Sequence, residues 1–240
     1  MGHVERISTG VIGLDEKMEG GFVKGSINLV TGKTGTGKTS FCSTFLYQGT
    51  RENQPGVYIT TEEGAEEIKK DIVAMFDWDF EGLEKSGIVK IFSIKPLFPS
   101  KDVEDLNRLV RLYIYDLMSK IEKAIEEVKA ERVVVDSVSI IEMFIKDEYV
   151  SRVALTALTE KLRHLGVTSL LTGTIPEASE SLSGGGIIEF IVDTVIKLDF
   201  VPVAEEYKRT LTVRKMRRTK HSTMIHPFDV TPEGLKVIEI

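Results

Sequence analysis

Apolar runs of strand length alternate with stretches of helical periodicity through the first two-thirds of the chain, the pattern of a parallel sheet flanked by helices. SINLVTG (26–32) reads as a strand. KTSFCSTFLYQG (38–49) follows as a helix with Phe41, Phe45 and Leu46 on one face. After Pro55, GVYITTEE (56–63) is a second strand, and GAEEIKKDIVAMF (64–76) is a helix with Ile68, Ile72, Val73 and Phe76 on one side. IVKIFSI (88–94) is a third strand. Past Pro96 and Pro99, the positions Leu106, Leu109, Val110, Tyr113, Leu117, Ile121, Ile125 and Val128 keep the helical period over about 103–129. RVVVDS (132–137) is a continuous apolar run, as a central strand buried on both faces requires. A helix over about 149–164 and the strand VTSLLTGT (167–174) complete the alternation.

The final third changes character. VDTVIKLDF (192–200), RTLTVRKMRR (209–218), HSTMIHPFDV (221–230) and GLKVIEI (234–240) are β-rich, with turn residues between them and little helix. The expected fold class is therefore α/β: a mostly parallel sheet flanked by helices, ending in a C-terminal antiparallel β meander. No linker, low-complexity tract or internal repeat interrupts the sequence, so residues 1–240 are expected to form a single domain.

Composition narrows the class without naming an activity. With 240 residues, 42% hydrophobic and 28% charged, the chain has the makeup of a soluble globular protein long enough to bury a substantial core. No run approaches the ~18 apolar residues of a membrane span. The opening MGHVERISTG lacks an apolar signal core, so a cytoplasmic location is expected, with no membrane partner. Cys42, the single cysteine, cannot form an internal disulfide and reads as a small buried apolar residue. The net charge of −6 argues against a dedicated nucleic-acid binder. Two Gln and three Asn beside abundant Glu and Lys match a bias of hyperthermophile proteins.

The chemistry begins at LVTGKTGTGKTS (29–40). Gly32, four residues, then Gly37-Lys38-Thr39 fits the phosphate-binding P-loop pattern, in its required context between strand and helix. Its glycines let successive N–H groups form a nest for phosphate oxygens, and the helix N-terminus adds positive potential. The candidate ligands of ATP in this stretch are Gly32, Thr34, Gly35, Thr36, Gly37, Lys38, Thr39 and Ser40. Lys38 supplies a point charge for the outer phosphates, and Thr39 is placed to ligate Mg²⁺. Asp136, ending VVVD, stands where a Walker-B aspartate holds Mg²⁺ through water, while Ser137 beside it reads as structural.

Glu62 and Glu63 follow the second strand. Strand carboxyl ends face the ligand crevice in a parallel sheet, so the pair is expected near the phosphates. A carboxylate there can orient and deprotonate an attacking water, and two adjacent carboxylates tend to raise the pKa of one of them. Glu66 and Glu67 instead suit a helix start. Farther on, VRKMRRTKHS (213–222) places Arg214, Lys215, Arg217, Arg218 and Lys220 within seven positions. Lys215 and Arg217 share one face of a strand. The run suits a solvated face, a nucleic-acid contact, or a pair of cations reaching a neighbour's γ-phosphate.

Taken together, the chain resembles the KaiC family of RecA-like ATPases, in particular its archaeal single-domain members. The resemblance rests on STGVIGLDEKMEGGFVKGSINLVTG (8–32), GTGKT (35–39), TEE (61–63), RVVVDS (132–137) and RKMRRTKHS (214–222), and runs from about residue 6 to the C-terminus. It implies a RecA-like core and a homo-hexameric ring with ATP at each subunit interface. It assigns Glu62 and Glu63 as catalytic glutamates and Lys215 with Arg217 as a finger acting in trans. It places Thr219 and His221 near the neighbour's nucleotide. Arg218 departs from the family, which usually has Gly after the finger arginine.

Two other functions compete with a regulatory ATPase. A DNA-processing motor of the RecA type needs cations on the loop after LLTGT, but that loop holds Glu177 and Glu180, and no Lys or Arg lies between Arg163 and Lys197. Nucleic acid is therefore not an expected partner. A nucleotide-gated interaction module would present a surface to a protein partner that the sequence does not identify. The Gly-rich stretch 176–186 is expected to be mobile and to face the channel of the ring.

Overall fold

Runs of β-branched residues become strands here, and past a first short pair the strands alternate with helices. The computed structural model describes residues 4–95, 106–145, 147–176 and 186–239. A short hairpin of β1 (Arg6–Ile7) and β2 (Phe22–Val23) precedes β3 (Ile27–Gly32), α1 (Lys38–Arg51), β4 (Gly56–Thr60), α2 (Ala65–Phe76), α3 (Phe80–Lys85) and β5 (Val89–Ser93). Then come α4 (Leu106–Val128), β6 (Arg132–Asp136), α5 (Ser139–Phe144), α6 (Glu148–His164) and β7 (Thr168–Thr174). The chain ends with α7 (Ile188–Ile191), β8 (Thr194–Val203), β9 (Glu206–Met216), β10 (His226–Thr231) and β11 (Gly234–Val237).

The main sheet has nine strands in the order β11-β10-β9-β8-β3-β7-β6-β4-β5. β3 pairs in parallel with both β7 and β8, and β6 does so with β4 and β7. From β8 onward the pairing is antiparallel, the expected meander. Alternation along the central strands feeds two apolar layers. Val134 joins Phe41, Phe45 and Leu46 of α1 on one face, while Val133 and Val135 join Leu117 and Ile121 of α4 and Leu158 of α6 on the other.

Helix starts follow local chemistry. The Glu67 side chain accepts from the Gly64 N–H at 2.7 Å, and Asp147 accepts from the Val150 N–H at 3.0 Å. In α2 the buried stripe is Ile68, Ile72 and Phe76; Val73, expected inward, is 47% exposed because a strict four-residue spacing fills the available face. The segment 221–225, expected within a strand, lies outside one: the Ser222 N–H donates to the Lys17 carbonyl, which fixes the approach to β10. The start expected for α4 near residue 103 and the loop 177–185 lie outside the described residues.

Arg132, at the first position of β6, is fully buried and ties three segments together. It donates to the carbonyls of Ser8 and Phe45 (2.8 and 2.9 Å), to Gln54 Oε1 (2.8 Å) and to Glu52 Oε2 (2.7 Å). Its guanidinium stands 4.7 Å from the Phe45 ring centroid. Burial pulls its pKa down to about 10. Gly49 admits it, since a Cβ there would lie 2.5 Å from Arg132 Cδ. Arg132→Met is expected to cost about 3–5 kcal/mol of unfolding free energy in urea titrations, because it leaves buried carbonyls and Glu52 without their partner.

Candidate nucleotide site

The loop between β3 and α1 owes its shape to glycines acting for different reasons. Gly35 and Gly37 have φ of +79° and +105°, which side chains rarely adopt. Gly32 is required by closeness instead: a Cβ would lie 2.5 Å from the Leu198 carbonyl oxygen. The loop opens onto a cavity of about 490 Å³, lined among the sequence candidates by Thr34, Gly35, Gly37, Lys38, Thr39, Ser40, Glu62, Glu63 and Asp136. Gly32 and Thr36 do not line it. Gly32 packs against β8, and the Thr36 hydroxyl donates to the Lys33 carbonyl at 2.8 Å, bracing the loop from behind. Lys38 Nζ donates across the loop to the carbonyls of Gly32 and Lys33, each at 2.9 Å. Burial lowers its pKa, against the opposing pull of Asp136 and Glu62.

Asp136 is a hub of hydroxyls. Its Oδ2 accepts from Thr39 Oγ1 (2.9 Å) and from the Tyr58 phenol (2.6 Å), and its Oδ1 accepts from Thr172 Oγ1 (2.6 Å). Burial, reinforced by Asp136, pushes the Tyr58 phenol well above its usual pKa. A hydroxyl and a carboxylate side by side are hard oxygen donors of the kind Mg²⁺ takes. Among the described residues no group of three or more His, Cys, Asp or Glu is placed to hold a metal by itself. Among the described residues, Glu62, Glu63, Asp71 and Asp136 line the cavity against only Lys38 and Arg209 as side-chain cations. A polyphosphate entering so acidic a space needs a cation with it, so the donor set fits Mg²⁺ held jointly by Thr39, Asp136 and phosphates.

Ser137 is more than the structural residue expected from sequence. It lines the cavity, and its hydroxyl donates to Glu62 Oε1 at 2.5 Å. Thr61 grips it in turn, donating to the Ser137 carbonyl at 2.8 Å and accepting from its N–H at 3.0 Å. Glu63 is held differently: Thr60 Oγ1 accepts from its N–H at 3.2 Å, and partial burial raises its pKa, with Asp136 and Asp71 contributing next and Glu62 less. One of the pair is perturbed as expected, but desolvation leads and the adjacent carboxylate is a minor cause.

Lys215, Arg217, Thr219 and His221 do not line this cavity. Register explains why. Gly32 pairs with Leu198 and Leu198 with Leu211, whereas Asn28 pairs with Thr194 and Thr194 with Met216. The finger candidates thus lie at the far end of β3, about 13 Å along the sheet from its P-loop end. Lys215 Nζ donates to the carbonyls of Glu189 (2.8 Å) and Val192 (2.7 Å), and Arg217 stands 3.5 Å from Asp193. Two positions apart, both reach the same segment 189–193, so they share a face as expected. Thr219 accepts from Arg6 at 2.9 Å, and His221 Nδ1 lies 2.9 Å from the Ser222 carbonyl.

Arg209 was missed by sequence reasoning. It pairs with Phe200, two residues beyond Leu198 toward the loop, and lines the cavity. No local motif marks it; only the β8–β9 register does. Asp71, Ala74 and Met75 of α2 and Val230 of β10 also form part of the wall, again without a sequence signature.

Because the raised Glu63 pKa makes ionisation costlier in the folded state than in the unfolded chain, the penalty is full above the folded pKa and gone below the ordinary value of 4.5. Glu63→Gln is therefore expected to raise the melting temperature of ligand-free protein at neutral pH. The gain should fade as pH falls toward 4.5, which thermal unfolding across a pH series checks.

Known proteins are similar to this chain over its whole length. A family model described as "ATPase: KaiC" matches residues 7–240. A UPF0273 protein of Methanopyrus kandleri is 35% identical, over 98% of this chain and 92% of its own length. The circadian clock oscillator protein KaiC of Parathermosynechococcus lividus is 30% identical over 99% of this chain, which spans 43% of that longer protein. The crystal structure of a KaiC-like protein from the hyperthermophilic archaeon Pyrococcus horikoshii superposes with a TM-score of 0.81 at 36% identity, covering 99% of this chain and 100% of that one. A P-loop between β3 and α1, a carboxylate at the end of β6 and full-length likeness to these relatives lead to one conclusion: the chain belongs to the KaiC family of ATPases.

Proposed function

We propose that the chain, acting as one domain over 1–240, binds ATP with Mg²⁺ and hydrolyses it slowly at interfaces between copies arranged head to tail in a hexameric ring, as a regulatory or signalling ATPase of the cytoplasm. The observation that carries this reading is the split of the charged groups. Lys38, Thr39, Asp136, Glu62 and Glu63 share one cavity, while Lys215 and Arg217 sit a strand length away and cannot serve the same nucleotide. A head-to-tail contact brings the second group of one copy to the first group of the next, and repetition of such a contact closes into a ring or grows into a filament.

In this reading Lys38 and the loop N–H groups hold the outer phosphates. Arg209 reaches the same nucleotide from its own chain. Glu62, aimed by Ser137, accepts the proton of the attacking water, and Glu63 shapes the field beside it. Bound Mg²⁺ supplies charge neutralisation for the transferring phosphoryl group. Lys215 and Arg217 meet the γ-phosphate from the neighbour, with Thr219 and His221 beside them. Among the described residues no helix is long and apolar enough to cross a membrane.

Lys38→Ala is expected to abolish ATP binding, and Glu62→Gln to keep binding while slowing turnover by about 10²-fold or more. Dilute Arg209→Ala protein should bind ATP about tenfold more weakly, whereas Arg217→Ala should keep its affinity and lose hydrolysis. Equilibrium titration beside an ATPase assay separates these.

Assembly is testable in its own right. Specific activity should rise with protein concentration, and Mg-ATP should shift the particle toward a hexamer in light scattering, since ligand that bridges copies favours the assembled state. Mixing Arg217→Ala with Glu62→Gln protein should restore activity, because one class of interface then carries both intact elements. A monomer with concentration-independent turnover refutes the shared site.

A further inference from the structure

Among the described residues, the phenol of Tyr58 has one hydrogen-bond partner, and that partner is Asp136. The ring is fully buried in the apolar layer that also holds Phe41, Phe45 and Val134. A phenylalanine would fill that place without bringing a polar atom into it. The hydroxyl is there for Asp136 and not for packing, because a buried hydroxyl is costly without a partner and favourable when bonded to a charged group.

The use follows from counting lone pairs. A carboxylate offers about four acceptor positions, two on each oxygen. In Asp136, Thr39 and Tyr58 occupy Oδ2, and Thr172 occupies Oδ1. These three donors come from α1, β4 and β7, so they hold the carboxylate from three sides and leave it about one further acceptor position. Thr39 belongs to the first turn after the loop, where the phosphates are handled, and its hydroxyl can donate to Asp136 while its lone pairs remain available to a cation. Tyr58 differs: it stands in a central strand and reaches the carboxylate on a rigid ring.

We infer that Tyr58 is a positioning residue for the metal half of the nucleotide site, fixing the Asp136 carboxylate so that its remaining acceptor position meets a water of the Mg²⁺ shell. This rests on the ATP–Mg²⁺ reading above. Removing such an outer-shell partner costs about 10–100-fold in metal affinity in comparable sites.

The test is Tyr58→Phe, which keeps the ring. Binding of a fluorescent methylanthraniloyl ATP is titrated in Mg²⁺ and in EDTA. Wild type should bind more tightly in Mg²⁺. The variant should match wild type in EDTA but lose about tenfold of the Mg²⁺ enhancement, with the Mg²⁺ concentration for half-saturation rising by a similar factor. A packing defect alone would shift both affinities together. In wild type, the ¹³Cζ resonance of labelled Tyr58 should move with Mg-ATP and stay still with ATP in EDTA, a readout that needs no variant. A Tyr58→Phe protein with an unchanged Mg²⁺ enhancement, or a resonance indifferent to Mg²⁺, overturns the inference while leaving the nucleotide site intact. A wild type that does not bind ATP overturns the proposed function itself.

Discussion

The shared direction of β3, β4, β6 and β7 is the constraint on which the site depends. Parallel pairing brings their carboxyl ends to one edge of the sheet. Each strand delivers a different chemical group there: the P-loop from β3, the two glutamates after β4, Asp136 from β6 and Thr172 from β7. None of these is close to another in sequence. Were any one strand reversed, its group would lie at the opposite edge, roughly a strand length away.

That edge is also where packing leaves least freedom. Gly32 admits no side chain because β8 lies against it, and Thr36 is spent on bracing the loop. Charge is concentrated where packing is tight: Lys38 is partly desolvated, and Glu63 ionises less readily than a free glutamate. Compensation comes from far below. Arg132 locks the opposite end of β6 to the C-terminal end of α1 and to the segment before Val11, so the two elements that carry Asp136 and Thr39 are fixed at both ends.

The strands and helices of the parallel core were legible because their signals are local. Val133, Val134 and Val135 need no neighbour to declare a buried strand, and GTGKT carries its conformation in its glycines. The family was legible for the same reason, since its motifs are short and contiguous. What stayed hidden depends on pairing across the sheet. Arg209 becomes a cavity residue only through its register with Phe200, and Tyr58 reads as one more apolar strand position until Asp136 is placed beside it. Ser137 looked structural because its neighbour in space, Glu62, is seventy-five residues away. Val73 failed in the other direction, since periodicity allowed it inward and the buried stripe needed only Ile68, Ile72 and Phe76.

β9 carries Arg209 near one end and Lys215 near the other. It is laddered to β8 over nearly all of that length, with a single irregularity at Arg214. That irregularity separates Arg209, which lines the cavity, from Lys215 and Arg217, which hold the segment 189–193. The spacing between the cation of the cavity and that anchored pair is therefore set by the β8–β9 ladder as a whole.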